Sequence, residues 1–154
     1  MAMDNDDVID TLNDLIETCK DGEYGFRASA EQVKSRTLRA NLLARSSECA
    51  TAADQLRAHV LQLGGKPEDG GSAAGAMHRG WVAVKAKLST YDDLAVLEEC
   101  ERGEDSALAT YRDALERDLP TPLRNLIERQ YEGAKRNHLE VRNMRDSLRT
   151  TARQ

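Results

Sequence analysis

The stretch from Asp92 to Asp118 carries a helical seam that is interrupted by two acids. Its side chains recur at alternating steps of three and four residues, the spacing at which one face of a helix packs against other helices. The seam consists of Leu94, Leu97, Glu101, Glu104, Leu108, Tyr111 and Leu115. A carboxylate on a packed face is costly unless it is paired, hydrogen-bonded, protonated or bound to a metal. The partners of Glu101 and Glu104 therefore decide what this chain can do.

Four further stretches also predict helices. We expect a single four-helix-bundle domain over residues 1–154, with helices at about 6–33, 37–63, 72–88, 92–118 and 122–149. The first helix carries Glu23 inside an otherwise apolar seam. The second stops at Gly64-Gly65, which is followed by Pro67, a typical helix end.

Composition agrees with an all-α protein. Hydrophobic residues make up 40% of the chain and charged residues 32%, which is typical of a globular rather than a disordered protein. Only three prolines and one Phe occur, while Ala, Leu, Arg and Glu, all good helix formers, are abundant.

The lengths of the connections predict the topology. Two long helices joined by a few residues lie antiparallel, which applies to the first pair and to the last pair. The connection between the two pairs includes the short helix and is long enough to run the length of a bundle. One long crossover between two hairpins predicts a ferritin-like four-helix bundle.

Charge, hydropathy and cysteine usage exclude several classes. A net charge of −5 argues against a nucleic-acid partner. No apolar run is long enough to span a membrane and no secretory signal opens the chain. Three cysteines without CxxC spacing argue against a disulfide framework, and we expect a cytoplasmic protein.

The central level of the bundle holds the candidate metal ligands. Folding each hairpin about its turn places Glu101 near Asn137 or His138, and Glu104 near Gly133 or Ala134. Inward carboxylates and a histidine are the ligands of di-iron and di-manganese sites. The candidate metal ligands are Glu23, Glu101, Glu104 and His138.

The full dinuclear pattern is missing, which leaves a second interpretation open. It requires Glu-x-x-His on two helices, but Ser46 and Cys49 occupy the second-helix positions and Lys135 precedes His138 by three residues. The glutamates then form a polar layer that specifies register or oligomeric state. Its other members are Cys19, Ser46, Cys49 and Asn137. We expect Cys19 and Cys49 to be small, buried, hydrophobic residues. The alternative is that they form a redox pair or bind a soft metal together.

Glycines cluster at the same level. Gly22, Gly25, Gly103 and Gly133 all fall inside predicted helices, where each costs about 1 kcal/mol relative to Ala. Close helix approach is one reason for them, and space for a ligand is the other.

The chain resembles a bacterial family of ferritin-like four-helix-bundle proteins of unknown function. The resemblance covers nearly the whole length and rests on Leu12–Phe26, Leu63–Lys85, Leu97–Tyr111 and the Arg136-Asn137-His138 region. It implies a ferritin-like fold and a bacterial source. Ferritins and rubrerythrin-like relatives handle iron or peroxide at a dinuclear carboxylate site, but this chain departs from both Glu-x-x-His motifs.

Two functional hypotheses follow. The first is a non-enzymatic, self-associating or partner-binding bundle with a degenerate polar central site and no cofactor. The second is an iron- or manganese-binding oxidoreductase or iron-handling protein that uses the four candidate ligands. A third hypothesis is that a small anion binds along the arginine-rich last helix.

Overall fold

The computed structural model describes residues 3–68 and 92–152, and these ranges contain four long helices and no strand. The helices are α1 (Asn5–Gln32), α2 (Arg36–Gln62), α3 (Asp93–Leu115) and α4 (Thr121–Ala152). The short helix expected at 72–88 lies outside the described residues. None of the helices within those ranges is long and apolar enough to cross a membrane.

Local sequence signals set the helix ends. The N-cap side chains Asp4, Ser35 and Asp92 each accept a hydrogen bond from the backbone N–H three residues later, which satisfies a donor that the helix leaves free. At the end of α2, Gly64 adopts a left-handed φ of 81° that favours glycine. The next N–H then reaches back to the carbonyl of Val60 at 2.9 Å.

The third helix is shorter than the sequence predicts. It ends at Leu115 rather than near Asp118, because the N–H of Arg117 bonds to the carbonyl of Ala114 in a tighter turn. The last helix begins after Pro120, and the Arg124 guanidinium binds the carbonyls of Leu115 and Arg117. The connection is therefore an ordered turn built around one arginine.

The helices form the antiparallel bundle that the sequence predicts, and the all-α fold is confirmed. Helix α1 packs against α2 and α3, and α3 packs against α4. Polar side chains join α2 to α4: Asn41 meets Met144, Arg45 meets Glu140, and Glu48 meets Asn137. At one end, the Asp93 carboxylate accepts hydrogen bonds from the N–H groups of Lys34 and Ser35, which fixes α3 to the α1–α2 turn.

Within residues 3–68 and 92–152, the apolar core forms two clusters. The first surrounds Leu12, Leu56 and Ile127 and lies toward the α3–α4 connection. The second surrounds Phe26, Leu42 and Leu97 and lies toward the α1–α2 turn. The level between them carries the buried polar residues Glu23, Ser46 and Glu104. The bundle therefore has a polar middle between two apolar ends.

We expect substitution by alanine to change the stability of the protein differently at two of the central glycines. A Cβ at Gly103 would meet nothing within 4 Å, so we expect Gly103→Ala to stabilise the protein by about 0.5–1 kcal/mol through helix propensity. A Cβ at Gly22 would lie 2.8 Å from the Cys49 sulfur. We expect Gly22→Ala to be at least about 1 kcal/mol less stable than Gly103→Ala because of this overpacking.

Urea unfolding followed by circular dichroism measures both variants. Adding Cys49→Ala to Gly22→Ala should recover the lost stability, since it removes the sulfur. Equal stabilisation by the two alanines would contradict the close approach of α1 to Cys49.

Candidate functional site

The predicted site residues lie at the polar level between the two apolar clusters. Glu23 and Glu104 are buried there from α1 and α3. On α2, the Ser46 hydroxyl donates a 2.7 Å hydrogen bond to the backbone carbonyl of Glu23. This bond holds Ser46 level with Glu23.

Both oxygens of Glu23 are occupied by bases of its own helix. Lys20 Nζ lies 3.0 Å from Oε1 and Arg27 Nη2 lies 3.4 Å from Oε2. These are the i, i+3 and i, i+4 neighbours that share a helix face. Glu23 is thus a paired carboxylate.

Glu101 is paired as well, but with two arginines of α4 that were not among its predicted neighbours. Its carboxylate binds the Arg145 guanidinium, and Arg142 Nε lies 3.7 Å away. The prediction that Glu101 lies near Asn137 or His138 is wrong by about one turn of α4. The α3–α4 pairing centres near residue 121, the midpoint of the Glu104–His138 contact, and not at the middle of the α3–α4 connection, which runs from Leu115 to Thr121.

His138 lies beside Glu104 instead. The Nδ1 atom of His138 and Oε1 of Glu104 are 3.6 Å apart, and Nε2 lies 3.3 Å from the Asp105 carboxylate. Within the described part of the chain, neither Nδ1 nor Oε1 has a hydrogen-bond partner, although both atoms are buried. This pair is the unsatisfied point of the polar level.

Burial dominates the electrostatics of Glu104. Desolvation raises the pKa of this carboxyl to about 8, with Glu101, Asp105 and Glu140 adding to the increase and Arg45 opposing it. Arg45 is directed elsewhere, since its guanidinium pairs with Glu48 at 3.2 Å and with Glu140 at 3.3 Å. Glu104 therefore differs from Glu23 and Glu101, which have basic partners.

A chain of hydrogen bonds crosses all four helices next to this level. The Cys19 sulfur lies 3.2 Å from the Tyr111 hydroxyl, which in turn lies 2.9 Å from Oε1 of Gln130. The Gln130 amide then donates to Oε1 of Gln55 and to the carbonyl of Ala52. The sequence predicts Tyr111 only as a seam residue of α3, and its hydroxyl at a packed position is the available signal for the hydrogen-bond chain.

Other predicted central-layer residues occupy the same region with different partners. The Asn137 amide donates to Glu48 at 2.7 Å, and Cys49 packs against Gly22. All three cysteines are free. Among the described residues, no group of three or more His, Cys, Asp and Glu side chains is placed to hold a metal ion.

A cavity of about 620 Å³ occupies the polar level and reaches the surface. Small residues on all four helices leave this space: Gly25 on α1, Ala52 on α2, Gly103 and Ala107 on α3, and Gly133 and Ala134 on α4. The side chains of Phe26, Cys19, Cys100 and Tyr111 also line it. Glycine at position 22 allows the close approach of Cys49, whereas glycine at position 103 leaves open space.

The cysteines should be unreactive in the native protein. Burial raises the pKa of the Cys19 thiol to about 11 and that of Cys100 to about 12, and desolvation also raises the pKa of Cys49, whose side chain is only partly buried. Since the thiolate is the nucleophile, we expect iodoacetamide at about pH 8 to modify none of them until the chain unfolds. Mass spectrometry of native and urea-treated protein measures this. Rapid native alkylation of any one thiol would contradict its burial as a neutral group.

Because of Glu104, we expect the free energy of unfolding to fall as the pH rises. Its pKa is raised from 4.5 to about 8 on folding, so the folded state holds more protons than the unfolded state between these values. The contribution is complete below about pH 4.5 and is lost as the pH rises through about 8. Glu104→Gln cannot ionise, so its stability relative to the wild type should increase by at least about 1 kcal/mol across this window.

Urea unfolding at several pH values tests this expectation. Glu128→Gln is the matched control, because it removes an exposed carboxylate from the same bundle. Parallel pH profiles for the wild type and Glu104→Gln would show that Glu104 is not the group responsible.

Comparisons with known proteins agree with this architecture. A mutant of Mycobacterium smegmatis Dps1 superimposes with a TM-score of 0.73 over 92% of this chain and 96% of that one, at 16% sequence identity. This likeness confirms the ferritin-like fold. No curated protein matches the sequence at a significant level. Residues 7–117 match the family described as Domain of unknown function (DUF2383), and the chain therefore belongs to this family.

Proposed function

We propose that this protein is a non-enzymatic, self-associating bundle in which a polar central layer replaces a catalytic metal centre. The observation that carries the proposal is the pairing of its central carboxylates with bases. Glu23 lies against Lys20 and Arg27, and Glu101 lies against Arg145 and Arg142. In a dinuclear centre, these carboxylates would instead be ligands of the metal ions.

Ion pairing and metal binding compete for the same oxygens. A metal at Glu101 would have to displace the Arg145 guanidinium, which is only 17% exposed and would then keep only its ion pair with Asp146. Removing one member of a poorly hydrated pair is unfavourable because the other charge stays desolvated. The pairs therefore favour a structural role for Glu23 and Glu101.

Exposed apolar side chains support self-association. Leu43, Leu61 and Leu139 are 44%, 62% and 56% exposed. Leucines of this size on the surface of a bundle gain free energy when a second subunit covers them. A cytoplasmic, bacterial homo-oligomer remains our expectation for this family member.

The second candidate function is metal binding, and the Glu104–His138 pair favours it. A carboxylate oxygen and an imidazole nitrogen lie 3.6 Å apart without hydrogen-bond partners in the described structure, and both atom types ligate iron and manganese. The other two candidates, Glu23 and Glu101, do not fit a shared dinuclear site while their bases are in place. Glu104 and His138 would hold a single ion at most.

Elemental analysis combined with sedimentation separates the two candidates. Protein purified without a His-tag is offered Fe(II) in air or Mn(II), then freed of excess metal and measured with and without a chelator. We expect no stoichiometric metal and an oligomer that survives the chelator.

About two irons per chain, the content of a dinuclear carboxylate site, would overturn the proposal. Metal that is lost in Glu104→Gln but kept in Glu128→Gln would establish the second candidate. A monomer under all conditions would remove self-association and leave a partner-binding bundle.

A further inference from the structure

We propose that the central cavity is a binding site for a small organic cation, an amine carried on an apolar body, whose ammonium group lies against Glu104. This inference goes beyond the proposed function, since neither self-association nor an ion-paired layer requires the cavity to take a ligand.

The size and walls of the cavity suit such a molecule. Its volume of about 620 Å³ lies within the roughly 300–1,000 Å³ of small-molecule sites, which are mostly apolar with a few placed polar groups. Phe26, Ala107 and the Tyr111 ring provide apolar and aromatic surface. Aromatic faces also attract ammonium groups.

The charge of the walls selects a cation. Among the described wall residues of the cavity are four acids, Asp21, Glu48, Glu99 and Glu104, and one base, Arg102. Arg102 is already paired with Glu99 at 3.2 Å. An anionic ligand would therefore meet an excess of carboxylates.

Glu104 is a wall residue with an unused acceptor, Oε1, which is covered beside His138 and reaches a ligand in the cavity once the side chain rotates. Its side chain is 8% exposed, and Oε1 lacks a hydrogen-bond donor within the described ranges. A buried acceptor without a donor costs free energy that a ligand can recover. An ammonium beside Glu104 would favour the ionised form of this carboxyl, and the two would then make the charge-assisted kind of hydrogen bond, about twice as strong as a neutral one.

The same geometry favours an amine over a metal ion. A resident metal usually needs three or more protein ligands, and the described residues offer no such group. An ammonium needs only one strong acceptor here, with apolar walls around the remainder of the molecule.

Three probes of matched shape test the proposal: phenylbutylamine, phenylbutanol and phenylbutyrate. Isothermal titration calorimetry of the full chain should show that the amine binds at least about tenfold more tightly than the alcohol. The carboxylate should not bind. Glu104→Gln should bring the amine close to the alcohol, while Glu128→Gln should leave the preference unchanged. Ala107→Phe, which fills the cavity, should weaken the binding of both the alcohol and the amine.

Several results would overturn the proposal. These are the absence of amine binding to the wild type below about 1 mM, an amine preference that persists in Glu104→Gln, and undiminished binding to Ala107→Phe. Circular dichroism checks that Ala107→Phe folds, and if it does not, the Glu104→Gln comparison decides alone. Metal content and oligomeric state are measured separately, so failure here leaves the proposed function standing, and the reverse also holds.

Discussion

A carboxylate at the centre of a helical bundle must have its desolvation offset, and this constraint organises the molecule. Three glutamates lie at or beside the polar level, and the cost of their desolvation is offset in two ways. Glu23 and Glu101 have basic partners, whereas Glu104 is kept in a neutral form by burial, with its pKa raised to about 8. The apolar core divides around this level because hydrophobic side chains cannot pack continuously through it.

The cavity and the polar level have a common origin in small side chains. Glycine and alanine residues on all four helices leave space where larger side chains would join the two apolar clusters. Every helical glycine costs helix stability, so a cluster of them at one level has to be offset by packing elsewhere. The hydrogen-bond chain from Cys19 through Tyr111 and Gln130 to α2 ties the four helices together beside this opening.

The ferritin-like fold does not determine the chemistry of this centre. A fold can hold many unrelated sites, and here the residues around Glu101 include guanidinium groups from α4. The same helices that could present metal ligands present bases instead. Function in this family member must therefore be argued from Glu104, His138 and the cavity rather than from the fold.

The sequence by itself determined the all-α class, the long helices and the placement of three glutamates on packed faces. Heptad-like spacing, capping residues and short connections are local properties, so they can be read along the chain. Only the tertiary structure decided which residues those glutamates meet. A change of a few residues in the α3–α4 pairing moved His138 from Glu101 to Glu104 and brought Arg145 to Glu101. Contacts between helices depend on the geometry of the intervening turn, here held by Arg124, and the number of residues in that turn does not fix this geometry.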